Sequence, residues 1–128
     1  MSGRNLLWVG CLLVLLALGG FASAQTTSCS PVSHSEIGFA SRQGLHDHFL
    51  KHGKEFRATS EEQYLVMAQT LRDAKLDGQI LENVRQDGVV TRFDKRTRAF
   101  LARNANGTIR TFFKPNDGEQ YYWRQLRR

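Results

Sequence analysis

The feature that most constrains the fold is a series of short β-prone runs, separated by turn residues, that fills the chain from residue 80 onward. Asp87-Gly88 and Asn106-Gly107 lie between such runs, and these pairs predict type I′ hairpin turns, in which both central residues need a positive φ. The spacing predicts an antiparallel meander. The predicted strands span residues 80–85, 89–93, 99–103, 108–114 and 120–126.

Two helices are predicted ahead of the strands. In segment 41–52, Leu45 and Phe49 are four residues apart, and Gly53 provides a stop signal. Ser60 followed by Gln63 is a capping-box signature, as is the adjacent Thr59 and Glu62 pair. The apolar stripe that follows predicts a second helix to about residue 76.

This order of elements predicts an α+β domain. Two N-terminal helices are expected to pack on one face of a four- to five-stranded antiparallel sheet, with the other face open. The predicted domain covers residues 41–128, which is enough chain for one compact unit.

The beginning of the chain has the layout of a secretory signal peptide. Arg4 precedes an apolar run, and Ala22-Ser23-Ala24 supplies small residues for cleavage. Residues 1–24 are therefore predicted to direct export to the bacterial periplasm or medium. Stable membrane insertion is not expected after cleavage, because the apolar core is shorter than the ~20 residues of a membrane span. Residues 25–40 are predicted to form a flexible leader, and Cys29, the one cysteine after residue 24, has no assigned role.

Basic residues are concentrated in one part of the chain. Seven lie between Arg92 and Lys114, with only Asp94 to oppose them. Such a concentration attracts polyanions, of which nucleic acid and an anionic membrane surface are the main candidates. A soluble surface with surplus arginine is the simpler alternative.

The first predicted helix carries a cluster of ionisable groups. His48, Lys51 and His52 are spaced i, i+3 and i+4, so they share one helix face. Histidine exchanges protons near neutral pH, and an adjacent cation can bind phosphate. Zinc binding by the two histidines is the other option, but no third ligand is obvious and Lys51 would repel the ion. No metal or cofactor is therefore expected, and a plain surface histidine pair is the alternative.

Segment 108–114 alternates cationic and aromatic residues. Regular strand geometry places Arg110, Phe112 and Lys114 on one face, opposite Thr111. This pattern suits a phosphodiester backbone and a stacked base, although an ordinary exposed strand gives the same pattern. The aromatic residues at 121–123 are expected partly to pack and partly to line a cleft.

Segments 48–56, 87–94 and 106–115, together with Tyr122-Trp123, resemble a C-terminal domain of bacterial polymorphic toxins. That domain belongs to the nuclease superfamily that groups barnase, EndoU, colicin D and RelE. The resemblance covers about residues 45–125. Its anchors are Lys-His-Gly at residues 51–53 and Arg-Thr-Phe-Phe-Lys-Pro at residues 110–115.

The resemblance implies metal-independent RNA cleavage, in which the 2′-OH attacks the adjacent phosphate and leaves a 2′,3′-cyclic phosphate. It implies that His52 is a general base or acid, that Lys51 binds phosphate, and that His48 is a second proton-transfer group. By the same similarity, Thr111 and Lys114 would stabilise the charge that develops on the phosphate. The expected substrate-binding residues are Arg92, Arg110, Phe112 and Trp123. A monomer that acts on RNA, with an immunity or inhibitor protein as a possible partner, is expected.

Three hypotheses follow from the sequence. The first is a small exported endoribonuclease. The second is a non-catalytic basic domain of the periplasm or cell surface that holds an acidic partner, and it does not need the histidine cluster. The third is a structural or inhibitor-like envelope protein that uses the aromatic residues at 121–123 as an interface anchor.

Overall fold

The computed structural model describes residues 32–128. The predicted signal peptide, residues 25–31 of the predicted leader and Cys29 lie outside these residues. Within the described range, no helix is long and apolar enough to cross a membrane. The helices are α1 (Arg42–His52), α2 (Glu61–Asp73) and α3 (Glu119–Gln125), and a 3₁₀ turn (Gly53–Phe56) follows α1. The strands are β1 (Ile80–Val84), β2 (Val90–Asp94), β3 (Ala99–Arg103) and β4 (Ile109–Phe113).

Both predicted helix starts are confirmed by side-chain caps. The Ser41 hydroxyl accepts a hydrogen bond from the Gly44 amide at 3.0 Å, and the Ser60 hydroxyl accepts one from the Gln63 amide at 3.2 Å. Each cap satisfies an amide that has no partner inside its helix. Helix α2 ends at Asp73, before the predicted residue 76, because Ala74 already has an extended ψ of 140°.

The four strands from residue 80 to residue 113 form one antiparallel sheet in the order β1-β2-β3-β4, which confirms the meander predicted for this part of the chain. Turns are present at Asp87-Gly88 and Asn106-Gly107, but Asp87 and Asn106 do not have a positive φ, so the predicted type I′ geometry is wrong. Gly88 has φ 78° and Gly107 has φ 90°, so both positions use a conformation that glycine adopts without strain. Strand β4 lies at one edge of the sheet.

The prediction of a fifth strand at residues 120–126 is wrong, because this segment forms α3. The tyrosine at position 122 is 3% exposed and packs with Phe93 and Phe100 on the face of the sheet that was predicted to be open. The sheet therefore has helices on both faces, with α1 and α2 on one and the short α3 on the other.

The larger core lies between α2 and the sheet. Tyr64 and Leu71 of α2 pack with Leu101 and Phe112 of the sheet. The Tyr64 hydroxyl donates a hydrogen bond to the Phe112 carbonyl, so its one polar group is satisfied inside the core. The Phe56 ring stacks on the Phe112 ring at a centroid distance of 4.1 Å.

A β-bulge in β4 overturns the predicted alternation of its side chains. Ala102 pairs with Thr111 and Arg103 pairs with Ile109, which leaves Arg110 as the extra residue. As a result, Ile109 and Phe112 both belong to the core beneath α2, and Phe112 is 1% exposed. Phe112 does not lie between two cations on an open face.

Residues 33–39 are bound to the domain rather than free. The Gln69 side chain donates to the carbonyls of Ser35 at 2.9 Å and Ile37 at 2.8 Å. Phe39 forms a parallel bridge with Ile109 of β4. These contacts join residues 35–39 to α2 and β4.

Candidate functional site

The site begins where α1 contacts the edge strand β4. The His48 and His52 rings lie 6.1 Å apart on α1, as their spacing of four residues requires. The His52 ring lies 5.3 Å from the Phe113 ring of β4, while the His48 ring lies 5.0 Å from that of Phe39. The fold thus places both histidines beside the end of β4, which leads into Lys114.

Glu55, in the 3₁₀ turn after α1, connects the two sequence motifs. One carboxylate oxygen lies 2.8 Å from Nδ1 of His52. The other oxygen accepts a hydrogen bond from the Lys114 amide at 2.7 Å. Glu55 is not among the site residues predicted from the sequence, although its i+3 spacing from His52 was a usable signal.

The contact with Glu55 assigns the tautomer of His52. An ionised carboxylate only accepts hydrogen bonds, so Nδ1 carries the hydrogen and Nε2 carries the lone pair of the neutral ring. The His52 side chain is 13% exposed, and Nε2 has no hydrogen-bond partner within residues 32–128. Nε2 is therefore the nitrogen that can accept a proton from a substrate.

His48 has a different environment from His52. Its Nδ1 is buried and has no hydrogen-bond partner among the described residues. Burial lowers the pKa of His48, and the charges of His52 and Lys51 lower it further. His48 is consequently neutral at pH 7, a state that suits a proton acceptor but not a general acid.

Lys114 brings a positive charge to the same place. Its Nζ lies over the Phe56 ring at 5.1 Å from the centroid, a cation–π contact. Within residues 32–128, no carboxylate pairs with this ammonium group. Lys114 also lines an open depression of about 380 Å³. The other lining residues are Glu55, Thr97, Arg98, Pro115 and Asn116.

Three further predicted residues make no side-chain hydrogen bond to His52, Glu55 or Lys114. Lys51 is exposed on α1, and it is close enough to His48 for its charge to lower the pKa of that ring. Thr111 is half-buried in β4, and its hydroxyl makes no hydrogen bond to any described residue. Arg110 is exposed at the bulge, where its guanidinium donates to the Asn104 side chain at 3.4 Å.

Arg92, one of the expected substrate-binding residues, is a structural residue in this fold. It is 8% exposed, its Nε lies 2.5 Å from a Glu82 oxygen, and its Nη1 donates to the carbonyls of Leu71 and Ala74. These bonds tie the end of α2 to the sheet. Because Arg92 is committed to them, it is not available to a phosphate.

The aromatic residues also differ from the prediction. The ring of Phe112 is buried, so it cannot stack on a base. Trp123 is 49% exposed, and its ring lies against Tyr122 while its Nε1 donates to Glu119 at 3.1 Å. Tyr121 is the aromatic residue next to the His52 and Phe113 rings. Its ring centroid lies 5.2 Å from that of Phe113, which in turn contacts the His52 ring.

Several cations of the basic segment are neutralised by the fold. Arg92 pairs with Glu82, Arg96 pairs with Asp94 at 3.3 Å, and Arg103 approaches Glu82 at 4.0 Å. The remaining cations of the segment make no carboxylate contact within the described part of the chain. They are Lys95, Arg98, Arg110 and Lys114.

Within residues 32–128, no group of three His, Cys, Asp or Glu side chains is arranged to hold a metal ion. No family model matches the chain, and no curated protein matches it. The function is therefore inferred from the residues of the site.

Proposed function

We propose that this protein is an exported endoribonuclease that needs no metal and cleaves RNA by attack of the 2′-OH on the neighbouring phosphate. The observation that carries the proposal is the double hydrogen bond of Glu55. One of its oxygens holds His52 and the other holds the Lys114 backbone, so a proton-accepting nitrogen and a phosphate-binding cation are supported by the same carboxylate.

In the proposed reaction, Nε2 of His52 removes the proton from the 2′-OH. The 2′ oxygen forms a bond to phosphorus, the bond from phosphorus to the 5′ oxygen breaks, and the leaving oxygen takes a proton from solvent. The products are a 2′,3′-cyclic phosphate and a 5′-hydroxyl. Glu55 acts as a positioning residue, because it fixes the tautomer and orientation of the base.

The cations supply the electrostatic part of the proposal. Negative charge accumulates on the non-bridging phosphate oxygens in the transition state, and fixed positive groups stabilise it more than they stabilise the substrate. The Lys114 ammonium is assigned this role. Thr111, Lys51 and Arg110 are assigned supporting contacts along the RNA backbone, and Tyr121 joins Trp123 as a candidate surface for base stacking.

The test is cleavage of total RNA by the purified protein in excess EDTA, with sequencing of the new ends. Wild type is expected to produce cyclic phosphates, and His52→Ala to produce none. His46→Ala is a matched control on the same helix, because the His46 ring is bound instead to Glu61 at 2.6 Å. This control is expected to cleave as wild type does.

Equal cleavage by wild type and His52→Ala would refute the assignment of His52. Absence of cleavage by well-folded wild type would favour the alternative function, a non-catalytic basic domain that holds an acidic partner. The four cations without a carboxylate partner support that alternative. It would be recognised by salt-sensitive binding without turnover.

A further inference from the structure

Arg98 lies at the end of the turn between β2 and β3, in a conformation unusual for its residue type. Its φ is 62°, in the left-handed region that favours glycine. Asp94 fixes this turn, because its carboxylate accepts bonds from the Arg96 amide at 2.9 Å and the Thr97 hydroxyl at 2.9 Å. The Arg98 amide donates to the Asp94 carbonyl at 2.7 Å. The backbone of Arg98 is therefore held in place before any ligand arrives.

The Arg98 side chain extends across the surface to the turn before α3. A Cβ placed on Gly118 would lie 2.9 Å from one guanidinium nitrogen of Arg98. The absence of a side chain at Gly118 thus leaves room for this guanidinium. Within residues 32–128, the guanidinium makes no hydrogen bond and no ion pair, so its donors are free for a ligand.

Arg98 and Lys114 line the same depression of about 380 Å³, together with Thr97 and Asn116. This volume is at the lower end of the range for ligand sites in proteins, ~300–1,000 Å³. The carboxylate of Glu55 also lines it, but both of its oxygens are already bonded, to His52 and to the Lys114 amide. The free groups in the depression are therefore mainly cations and hydrogen-bond donors, which suits a phosphate.

We propose that Arg98, beside Lys114, binds a second phosphate of the RNA, next to the phosphate that is cleaved. The proposal rests on the proposed endoribonuclease function and specifies its substrate. The depression adjoins His52 through Glu55, so a chain whose scissile phosphate lies at His52 can place its neighbouring phosphate against Arg98. Substrates with at least two successive phosphates are then preferred over dinucleoside monophosphates, which have one.

Binding is tested separately from cleavage. The probe is a fluorescent 2′-O-methyl hexaribonucleotide, which lacks the attacking hydroxyl and cannot be cleaved. Its affinity is measured by anisotropy at several salt concentrations. Arg98→Ala is expected to weaken binding about tenfold, as loss of one charge-assisted contact implies. The slope of log affinity against log salt is expected to become shallower by about 0.7, the value for one phosphate contact on a single strand.

Lys95→Ala is the matched control, because it removes one positive charge from the same turn at a residue that does not line the depression. It is expected to change the affinity less than about twofold, since a charge remote from the ligand is screened by salt. Arg98→Lys, which keeps the charge, is expected to recover part of the affinity. Thermal melting of each variant verifies that the fold is intact.

Cleavage gives the second readout. The ratio of kcat/KM for a trinucleoside diphosphate to kcat/KM for a dinucleoside monophosphate is expected to fall about tenfold in Arg98→Ala. Equal weakening of hexanucleotide binding by Arg98→Ala and Lys95→Ala would overturn the subsite, as would failure of wild type to bind the probe. If wild type cleaves no RNA but Arg98→Ala alone loses binding, the subsite stands as a phosphate site and the endoribonuclease function fails.

Discussion

The carboxylate of Glu55 lies 2.8 Å from Nδ1 of His52, and its second oxygen is bonded to the backbone of Lys114 at 2.7 Å. One side chain therefore fixes the end of α1 relative to the end of β4. The two sequence motifs of the site are 59 residues apart at this contact, yet they are joined by a single group.

This relationship makes Glu55 a test of the proposed base. In Glu55→Ala, the His52 ring loses the acceptor that selects its tautomer, so kcat for RNA cleavage is expected to fall about 100-fold, within the usual range for general-base catalysis. The pH profile of kcat is expected to change as well, whereas a merely structural loss would leave its shape intact. Steady-state kinetics between about pH 5 and about pH 9 measure both effects, a range that brackets histidine titration.

A matched control for Glu55 is Glu36→Ala, because Glu36 also pairs with a histidine, His34, at 3.2 Å. Both members of that pair are well exposed, so its loss should leave cleavage unchanged. If Glu36→Ala and Glu55→Ala have the same kinetics, Glu55 has no positioning role.

The sequence predicted the local features that short patterns determine. The cap at Ser60 and the turns at Gly88 and Gly107 depend on neighbouring residues only, so they could be recognised directly. Helix α3 was predicted as a strand because its run of aromatic residues has strand propensity, which packing against the sheet overrides. Whether such a segment packs as a helix is decided by distant residues.

Two features of the site were beyond prediction for the same reason. The bulge at Arg110 places Phe112 on the same face of the sheet as Ile109. The sequence of a strand does not show where an extra residue is inserted. Arg98 could not be connected with Lys114 before the turns carrying them were known to line one depression. By contrast, the pairing of His48 with His52 followed from helix periodicity alone.

The buried position of Phe112 predicts a stability effect. Phe112→Ala removes a ring that is stacked on Phe56 and packed against Tyr64, so the free energy of unfolding is expected to fall by about 4 kcal/mol. Phe112→Leu keeps most of the volume and is expected to cost roughly 1 kcal/mol. Urea denaturation measures both values.

Trp123→Ala is the control for Phe112, because Trp123 is 49% exposed and its change is expected to stay near 0.5 kcal/mol. If Phe112→Ala weakened RNA binding but left the unfolding free energy unchanged, Phe112 would be a substrate-binding residue, as the sequence predicted, and its assignment to the core would be wrong.

Arg92 and Arg110 provide a paired test of two cations that the sequence placed in one role. Arg92→Ala leaves Glu82 without its closest partner and is expected to lower the free energy of unfolding by about 3 kcal/mol. This loss of unfolding free energy lies at the low end of the range for breaking a buried ion pair, because Arg103 remains 4.0 Å from Glu82. Arg110→Ala is expected to change stability by only about 0.5 kcal/mol, since Arg110 is exposed.

The RNA affinities of these two variants should show the opposite order. At a temperature where both are folded, Arg92→Ala is expected to bind the 2′-O-methyl hexanucleotide as wild type does, because its guanidinium is buried. Arg110→Ala is expected to bind more weakly, with a shallower salt slope. Loss of affinity in folded Arg92→Ala, with none in Arg110→Ala, would contradict the structural assignment of Arg92.

The contact between His46 of α1 and Glu61 of α2 predicts how stability depends on pH. The hydrogen bond to Glu61 raises the pKa of His46 above its ordinary value of 6.5. Because the folded state holds the proton more tightly, this stabilisation is fully present below pH 6.5 and is lost as the pH rises through the raised pKa. The melting temperature of wild type minus that of Glu61→Gln should therefore decrease as the pH rises from about 6 to about 8, the interval in which histidine loses its charge. His48, whose pKa is lowered, contributes the opposite trend in both proteins, so its contribution cancels in the difference between their melting temperatures.

Glu62→Gln is the matched control, since it removes the neighbouring charge from the same first turn of α2. The difference between its melting temperature and that of wild type should not vary over this pH range. A Glu61→Gln difference that is equally flat would show that the His46 contact does not stabilise the junction of α1 and α2.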